Sequence, residues 1–407
     1  MRIAIFANGI LFNKVGGAQK HMREVIERFP QFYDIVYFPE PQTYQEKGSC
    51  DFEYIKYLNT INIKISEYFI NFSGKEVIMQ DIIEHYSMEI ENCDFIYDLD
   101  FQYYAENFKY GGELSLTLSR RMGKKMGVCL QDLGDVNMHF FHELYSGFAL
   151  SLIAPRLSLF VAGISIYDYI NRKLTLKKLI SNKNLEFISI VNNSYKKNMH
   201  IRFKNVYRLE PSNALDTKIQ KYRGMAKENK IIFFARLVYR KGIFDFIHVV
   251  KDITKNSDVK VIIAGEFQHK FEKTYFFTLL SKYDLNESVK YLGKLTDDEL
   301  YQELSTASLM IYPSHSDSFS LSILQAIYLG TPVVAYDIAG ISLYKNFSCV
   351  KLVKEFDIRK MVEISQNILS NKNISFNDAT LDDFINQHQD WFNVANAHKK
   401  ILDVHLQ

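Results

Sequence analysis

Two cations, Arg236 and Lys241, share the short loop Arg236-Leu-Val-Tyr-Arg-Lys241-Gly242. A guanidinium offers a planar two-donor fork and an ammonium a point charge, a pair suited to a diphosphate. A surface loop with ordinary charges is the plain alternative. A second polar loop, Ser314 to Ser320, precedes an apolar helical pattern. Ser318 and Ser320 are candidate N-caps, because a hydroxyl can accept from the open first-turn amides. The segment Ser318, Phe319, Ser320, Leu321 is then a candidate seat for a phosphate, with unpaired N–H groups at a positive dipole end. Gly16-Gly17 opens another helical pattern. Paired glycines let a backbone approach a phosphate or sugar closely, although a tight turn with positive φ explains them equally well. Asp98-Leu99-Asp100 has the D-x-D spacing that can hold a divalent metal, but two acidic residues in a strand-end loop is the preferred reading. Gln131 can hydrogen-bond a hydroxyl and cannot shuttle a proton at neutral pH.

The elements that must position these residues are legible around the second loop. Leu309 to Tyr312 and Val333 to Tyr336 are short apolar runs, hence buried strands. Between them Leu321, Leu324, Ile327 and Leu329 recur close to helical spacing, Gly330 stops the helix and Pro332 prevents its resumption. Strand, loop, helix, strand is the unit of a parallel sheet, and ligands bind where its strands end. The same grammar recurs. Lys230 to Ala235 is a strand before the cationic loop, and Ile243, Phe246, Ile247 and Val250 share a helical face after it. Near the N-terminus, strand Ile3 to Ala7 leads through Asn8–Gly17 to a helix with Ala18, Met22, Val25, Ile26 and Phe29 on one face. Further strands are expected at Phe95 to Tyr97, Met126 to Leu130, Phe187 to Val191, Val259 to Gly265 and Val289 to Gly293. From about residue 38 to 92 no motif is evident.

At 407 residues the chain can form two domains with ordinary cores. A net charge of +2 gives no polyanion-binding signal, so nucleic acid is not an expected partner. Cys50, Cys93, Cys129 and Cys349 have neither metal nor disulfide spacing, and a reducing cytoplasm is the simplest setting. The first residues run straight into a strand, with no signal peptide. The longest apolar region, Phe148 to Ile166, is interrupted by Pro155-Arg156; each half is short of the about 20 residues that span a bilayer. Arg172, Lys173, Lys177, Lys178 and Lys183 form a basic face beside Leu174, Leu176, Leu179 and Ile180, with Lys196, Lys197, Arg202, Lys204 and Arg208 following. Such a face suits an anionic membrane surface, and a solvated helix face accounts for it too.

The stretch Pro313 to Gly340 resembles the nucleotide-sugar motif of the GT-B glycosyltransferases, in particular the retaining family 4. That family carries Pro-Ser, a Glu, a second Glu eight positions on, Ala, then Gly-Thr-Pro-Val-Val. Pro313-Ser314, Ala326 and Gly330-Thr331-Pro332-Val333-Val334 match, whereas the acidic positions are Asp317 and Gln325. Arg236, Lys241 and Gly242 match the family's Gly-Arg-Leu…Lys-Gly, with Ala235 for the first Gly. Gly16-Gly17 with Gln19-Lys20-His21 echoes its Gly-Gly loop, and Gln131-Asp132 stands where it has His-Asp. Pro211-Ser-Asn-Ala-Leu-Asp216 echoes its domain end, and Trp391-Phe392 its closing helix.

The resemblance implies an α/β GT-B fold, two Rossmann-like domains facing across a cleft. Residues 1–212 are the expected acceptor-side domain, 213–388 the nucleotide-sugar domain, with Thr217 to Asn229 as linker, and 389–407 a helix crossing back. It implies a retaining glycosyltransferase moving a sugar from a nucleotide-sugar, UDP favoured, to a glycan or lipid-linked acceptor. Arg236 and Lys241 would stabilise the departing diphosphate, so neither metal nor cofactor is expected. Asp317 would contact the donor sugar, Gln131 would face it, Gln325 would bind the ribose, and Lys294-Leu295 would lie beside the base. A binding or scaffold subunit of the same fold that has lost catalysis is the alternative; a sugar epimerase or phosphorylase is a weaker one. A cytoplasmic protein, peripheral at the inner face of the membrane, is the expected setting.

Overall fold

The structure, a computed structural model, describes residues 1–12, 17–74, 77–101, 113–131, 155–192, 203–255, 257–371 and 379–406. Gly16, Asp132, Lys196, Lys197, Arg202 and Phe148 to Ala154 lie outside these, as do the side chains of 155–165 and of Arg172. The chain divides into two compact units, Met1–Asn213 with Trp391–Gln407, and Ala214–Asp390.

The first unit is built on seven strands: β1 (Arg2–Ala7), β2 (Asp34–Pro39), β3 (Ile63–Ile65), β4 (Phe95–Asp98), β5 (Met126–Leu130), β6 (Leu185–Ile190) and β7 (Val206–Arg208). Their order is β3-β2-β1-β4-β5-β6-β7, and every pairing is parallel. Near-continuous apolar strands explain this, because a parallel sheet is covered on both faces; Ile3 to Ala7 are all buried. Helix α1 (Gly17–Arg28) follows β1 and buries Met22, Val25 and Ile26. A long helix, α2 (Pro155–Ile180), precedes β6.

The second unit has six strands: β8 (Glu228–Phe234), β9 (Lys260–Ala264), β10 (Val289–Gly293), β11 (Ala307–Tyr312), β12 (Val333–Tyr336) and β13 (Val350–Val353). The order is β10-β9-β8-β11-β12-β13, again parallel throughout. The strand order reverses direction beside β8 and β11, the kind of point at which open sheets bind ligands. Helices α3 (Ile243–Thr254), α4 (Asp297–Thr306) and α5 (Leu321–Tyr328) return the chain between strands. The expected linker is more ordered than its polarity suggests. Thr217–Tyr222 is a 3-10 turn whose first amides are capped by Asp216, and β8 already begins at Glu228.

The last helix, α6 (Trp391–Leu406), belongs to the first unit. Its anchor is a pair of buried imidazoles, with His21 Nε2 of α1 3.0 Å from His398 Nε2. The other His398 nitrogen, Nδ1, lies 2.6 Å from the Tyr97 hydroxyl. Burial holds both imidazoles below their ordinary range, His21 at about 4, so the neutral rings can each donate and accept. Cys129 completes a trio whose ligand atoms lie within 4.8 Å, the one such group among the described residues, and the two imidazoles already bond each other.

Candidate functional site

The candidate site lies on the edge of the second sheet where its parallel strands end. Immediately after β8, Arg236 is exposed, and no described residue bonds or ion-pairs its guanidinium. The chain then makes a single 3-10 turn, Tyr239–Lys241, and enters α3 through Gly242 at φ +75°. Only glycine fits there. A Cβ on Gly242 would stand 1.8 Å from the Pro313 carbonyl oxygen, so the backbone of this loop rests directly on the end of β11.

That close approach lets Lys241 reach the second loop. Its ammonium donates to Asp317 Oδ2 at 2.9 Å and to the Ser316 carbonyl at 2.8 Å. The Tyr312 hydroxyl donates to the same carboxylate oxygen at 2.7 Å. The Lys241 and Asp317 side chains are only 16% and 11% exposed. Gly340 closes the packing from the other side: a Cβ there would be 1.9 Å from the Asp317 carbonyl oxygen. Burial lowers the Lys241 pKa; Asp317 opposes the shift, and the nearby charges of Arg236 and Arg240 add to it. Three cations thus lie within electrostatic reach of one another on one loop, with one carboxylate between two loops.

Ser320 is the residue that caps α5. Its hydroxyl accepts from the Ile323 amide, and its carbonyl accepts from the Tyr344 hydroxyl at 2.9 Å. Ser318, the other candidate cap, is partly exposed and one turn short of the helix, so the capping expectation resolves to Ser320. Phe319 is buried and stacks on His388, with centroids 5.5 Å apart. Leu321 packs against the second unit's core, and Gln325, half-buried, hydrogen-bonds the Tyr301 hydroxyl. Lys294 is exposed and Leu295 half-buried just after β10.

The structure therefore brings Arg236, Lys241, Asp317, the start of α5 and Lys294-Leu295 to one sheet edge. Gly17 and Gln131 belong to the first unit. Gly17 opens α1 without positive φ and with no described residue near its missing Cβ, so no described neighbour requires a glycine there. Gln131 is buried and donates to the Leu99 carbonyl at 3.1 Å, so part of its hydrogen-bonding capacity is engaged by backbone. The D-x-D pair is also internal. Asp98 accepts from the Ser115 hydroxyl at 2.5 Å and from the Asp100 amide at 3.2 Å. Burial raises Asp98 to about 7, and raises its neighbour Glu40 well above the carboxylate range, helped by the charges of Asp98 and Asp100.

Sequence reasoning missed Tyr312, Tyr301 and His315 at this edge. The first is the last residue of an apolar run and the second a core position of α4; neither has a local signal for its hydroxyl's partner.

Residues 216–386, nearly the whole second unit, match the family model described as Glycosyl transferases group 1. That segment is therefore similar to the domain shared by group 1 glycosyl transferases. An uncharacterized glycosyltransferase of Methanocaldococcus jannaschii is 30% identical over 114 residues, 28% of each chain. The MMP alpha-(1->4)-mannosyltransferase of Mycolicibacterium hassiacum is 26% identical over 160 residues, 38% of each chain. The matched stretches thus span well under half of these relatives. The structure of Anabaena HepE in complex with UDP and glucose aligns over 99% of this chain and 100% of that one, with TM-score 0.70 at 13% identity. That likeness establishes the GT-B fold for the whole chain, including the first unit, where the group 1 model does not reach.

Proposed function

We propose that the protein is a retaining glycosyltransferase that moves a sugar from a nucleotide-sugar, UDP-linked by preference, to a glycan or lipid-linked acceptor. The observation that carries this reading is the exposed Arg236, unpartnered among the described residues, beside Lys241 and on the same sheet edge as the capped N-terminus of α5. Breaking a glycosyl phosphate bond leaves negative charge on the diphosphate. Fixed cations and oriented amides stabilise that charge without reorganising during the reaction. A structural neighbour solved with UDP and glucose supports the choice of donor. The experiment is nucleotide release from a panel of UDP-, GDP- and ADP-sugars with glycan and lipid-linked acceptors, alongside calorimetric binding of the nucleotides. Binding and release with none of them overturns the reading.

Gln325 supplies a sharper test. As the proposed ribose contact it offers an acceptor, and its side chain already serves the Tyr301 hydroxyl. Glutamate keeps the acceptor for the ribose, and the Tyr301 hydroxyl can turn to donate to the carboxylate in place of accepting from the amide. Gln325→Glu is expected to leave kcat/KM and melting temperature close to wild type. A dead Gln325→Glu enzyme means that the ribose lies elsewhere.

The peripheral setting is also part of the proposal, and α2 supports it. Ile166, Tyr167, Ile170 and Leu174 are 47–52% exposed. At 3.6 residues per turn they fall, with Lys173, Lys177 and Lys178, within roughly 140° of helix surface. An apolar stripe edged by lysines fits the headgroup layer of an anionic bilayer, and no helix among the described residues is long and apolar enough to cross one. The protein is expected to sediment with phosphatidylglycerol vesicles at low salt and not with phosphatidylcholine ones. Ile170→Ser with Lys177→Glu should abolish that binding while leaving the fold intact; equal sedimentation of the variant removes α2 as the contact.

A further inference from the structure

The loop between β11 and α5 carries a buried imidazole that the donor reading does not use. His315 is 2% exposed. Its Nδ1 lies 2.8 Å from Glu355 Oε1, just after β13, and its Nε2 3.3 Å from Asp245 Oδ2 on α3. Its backbone N–H donates to the Arg240 carbonyl at 2.9 Å. Asp245 is itself held, because Oδ2 accepts from the Tyr336 hydroxyl at 2.7 Å. Three aromatic rings surround the imidazole: Tyr239 at 5.6 Å, Tyr336 at 5.3 Å and Phe356 at 4.8 Å between centroids. Phe356 takes φ +68°, a left-handed conformation that a bulky side chain rarely adopts, and its ring stacks on His315.

This arrangement joins the 3-10 turn before α3, α3 itself, the end of β12 and the segment after β13. All meet on a residue two positions before Asp317 and, through Arg240, one position before Lys241. We propose that His315 is a positioning residue: set between the carboxylates of Glu355 and Asp245, it locks both loops so that the Lys241–Asp317 pair is held ready for the donor diphosphate. The proposal rests on the donor-site reading above.

Burial alone would lower the His315 pKa, but the close carboxylate of Asp245 and the hydrogen-bonded one of Glu355 outweigh it and raise it from 6.5 to about 9. Among the described residues the carboxylates set against the ring are these two, from α3 and from the segment after β13; Tyr239, Tyr336 and Phe356 pack on it, and Glu272 lies behind, accepting from the Tyr239 amide. With the native pKa above the unfolded one, the stabilisation from this proton is complete below pH 6.5 and is lost as pH rises through about 9.

The test is His315→Gln, which keeps a hydrogen-bonding side chain and removes the charge. Thermal unfolding of the full-length protein is followed against pH, and UDP affinity by calorimetry. The variant is expected to lose the alkaline fall in melting temperature between pH 6.5 and 9, and to bind UDP roughly tenfold more weakly, the scale of a small misplacement of charged groups. Adding Glu355→Gln, which removes a carboxylate left without its cation, should recover melting temperature and leave the pH profile flat. If His315→Gln does not fold, Glu355→Gln alone serves. With one partner fewer, its alkaline fall should move to lower pH and UDP affinity should drop.

An unchanged pH profile overturns the proposal. So does a flattened profile with unaltered UDP affinity, which would make His315 a plain structural residue. A wild-type chain that binds no nucleotide sinks the donor reading and the proposal together, whereas a nucleotide-binding wild type with an indistinguishable variant sinks the proposal alone.

Discussion

Arg236→Ala is expected to lower kcat by roughly a hundredfold or more, the scale of removing one charge-stabilising group, with the melting temperature unchanged. The two halves of this expectation come from the same fact. Arg236 is exposed and no described residue holds its guanidinium, so its removal leaves no protein group without a partner. Surface substitutions of that kind stay within about 0.5 kcal/mol. What the residue would hold is the departing diphosphate, so its absence should appear in the chemical step. Arg236→Lys separates charge from geometry. An ammonium restores the point charge and not the planar fork, so partial recovery is expected. The measurements are kcat, KM and nucleotide affinity beside a thermal melt. Wild-type turnover in Arg236→Ala removes the residue from the site. A collapsed melt makes it structural, against its exposure.

Arg236 shows what a sequence can disclose about such a site. Its place after an apolar run and before an amphipathic helix is a local signal, and the strand, turn and helix that present it form where that pattern puts them. The expected strand Val333 to Tyr336 matches β12 residue for residue, and Ile243, Phe246, Ile247 and Val250 are all buried on α3. Burial repeats with the period of each element, so it writes itself into the order of residues. Contacts between loops do not. Lys241 and Asp317 are 76 positions apart, and His315 and Glu355 are 40 apart. Nothing near either residue announces the other. The family resemblance assigned Asp317 to the donor sugar. The structure adds that its carboxylate is already shared by an ammonium and a tyrosine hydroxyl.

The first unit makes the same point from the opposite side. Residues 38 to 92 offer no motif, yet they form β3 and several helices around buried Tyr44, Tyr86 and Phe69. The Tyr44 and Tyr86 hydroxyls bond each other at 2.7 Å, and Tyr86 donates to the Pro39 carbonyl. Aromatic residues with a polar tip fill a core as well as aliphatic ones do, provided each tip finds a partner. Those partners again lie far along the chain. A reading based on periodicity therefore sees only an aromatic-rich, featureless stretch.

Lys241→Met should do more damage than Arg236→Ala, and of two separable kinds. Asp317 would remain 11% exposed with its cation gone, and breaking a buried pair from one side typically costs about 3–5 kcal/mol. Turnover should also fall by roughly a hundredfold or more, because in the proposed donor site the ammonium would be the second fixed charge beside the diphosphate. Adding Asp317→Asn tells the two apart: the amide accepts from Tyr312 without needing a cation, so stability should largely return while activity does not. Independent sites would give additive losses, and a large coupling energy is the mark of a direct pair.

The pH dependence carries an internal check. Burial lowers the native pKa of Lys241 despite Asp317, so near the alkaline end the native state holds fewer protons here than the unfolded chain. Stability owed to this group therefore rises as pH climbs towards 10.5 and is absent once pH falls below the native value. Activity, which on the proposed reading needs the ammonium, should decline over the same interval. In the Lys241→Met, Asp317→Asn background the stability component should vanish, leaving the opposite alkaline fall due to His315. Rate and unfolding profiles that run in parallel in the wild type would mean that the ammonium of Lys241 is not what the reaction uses.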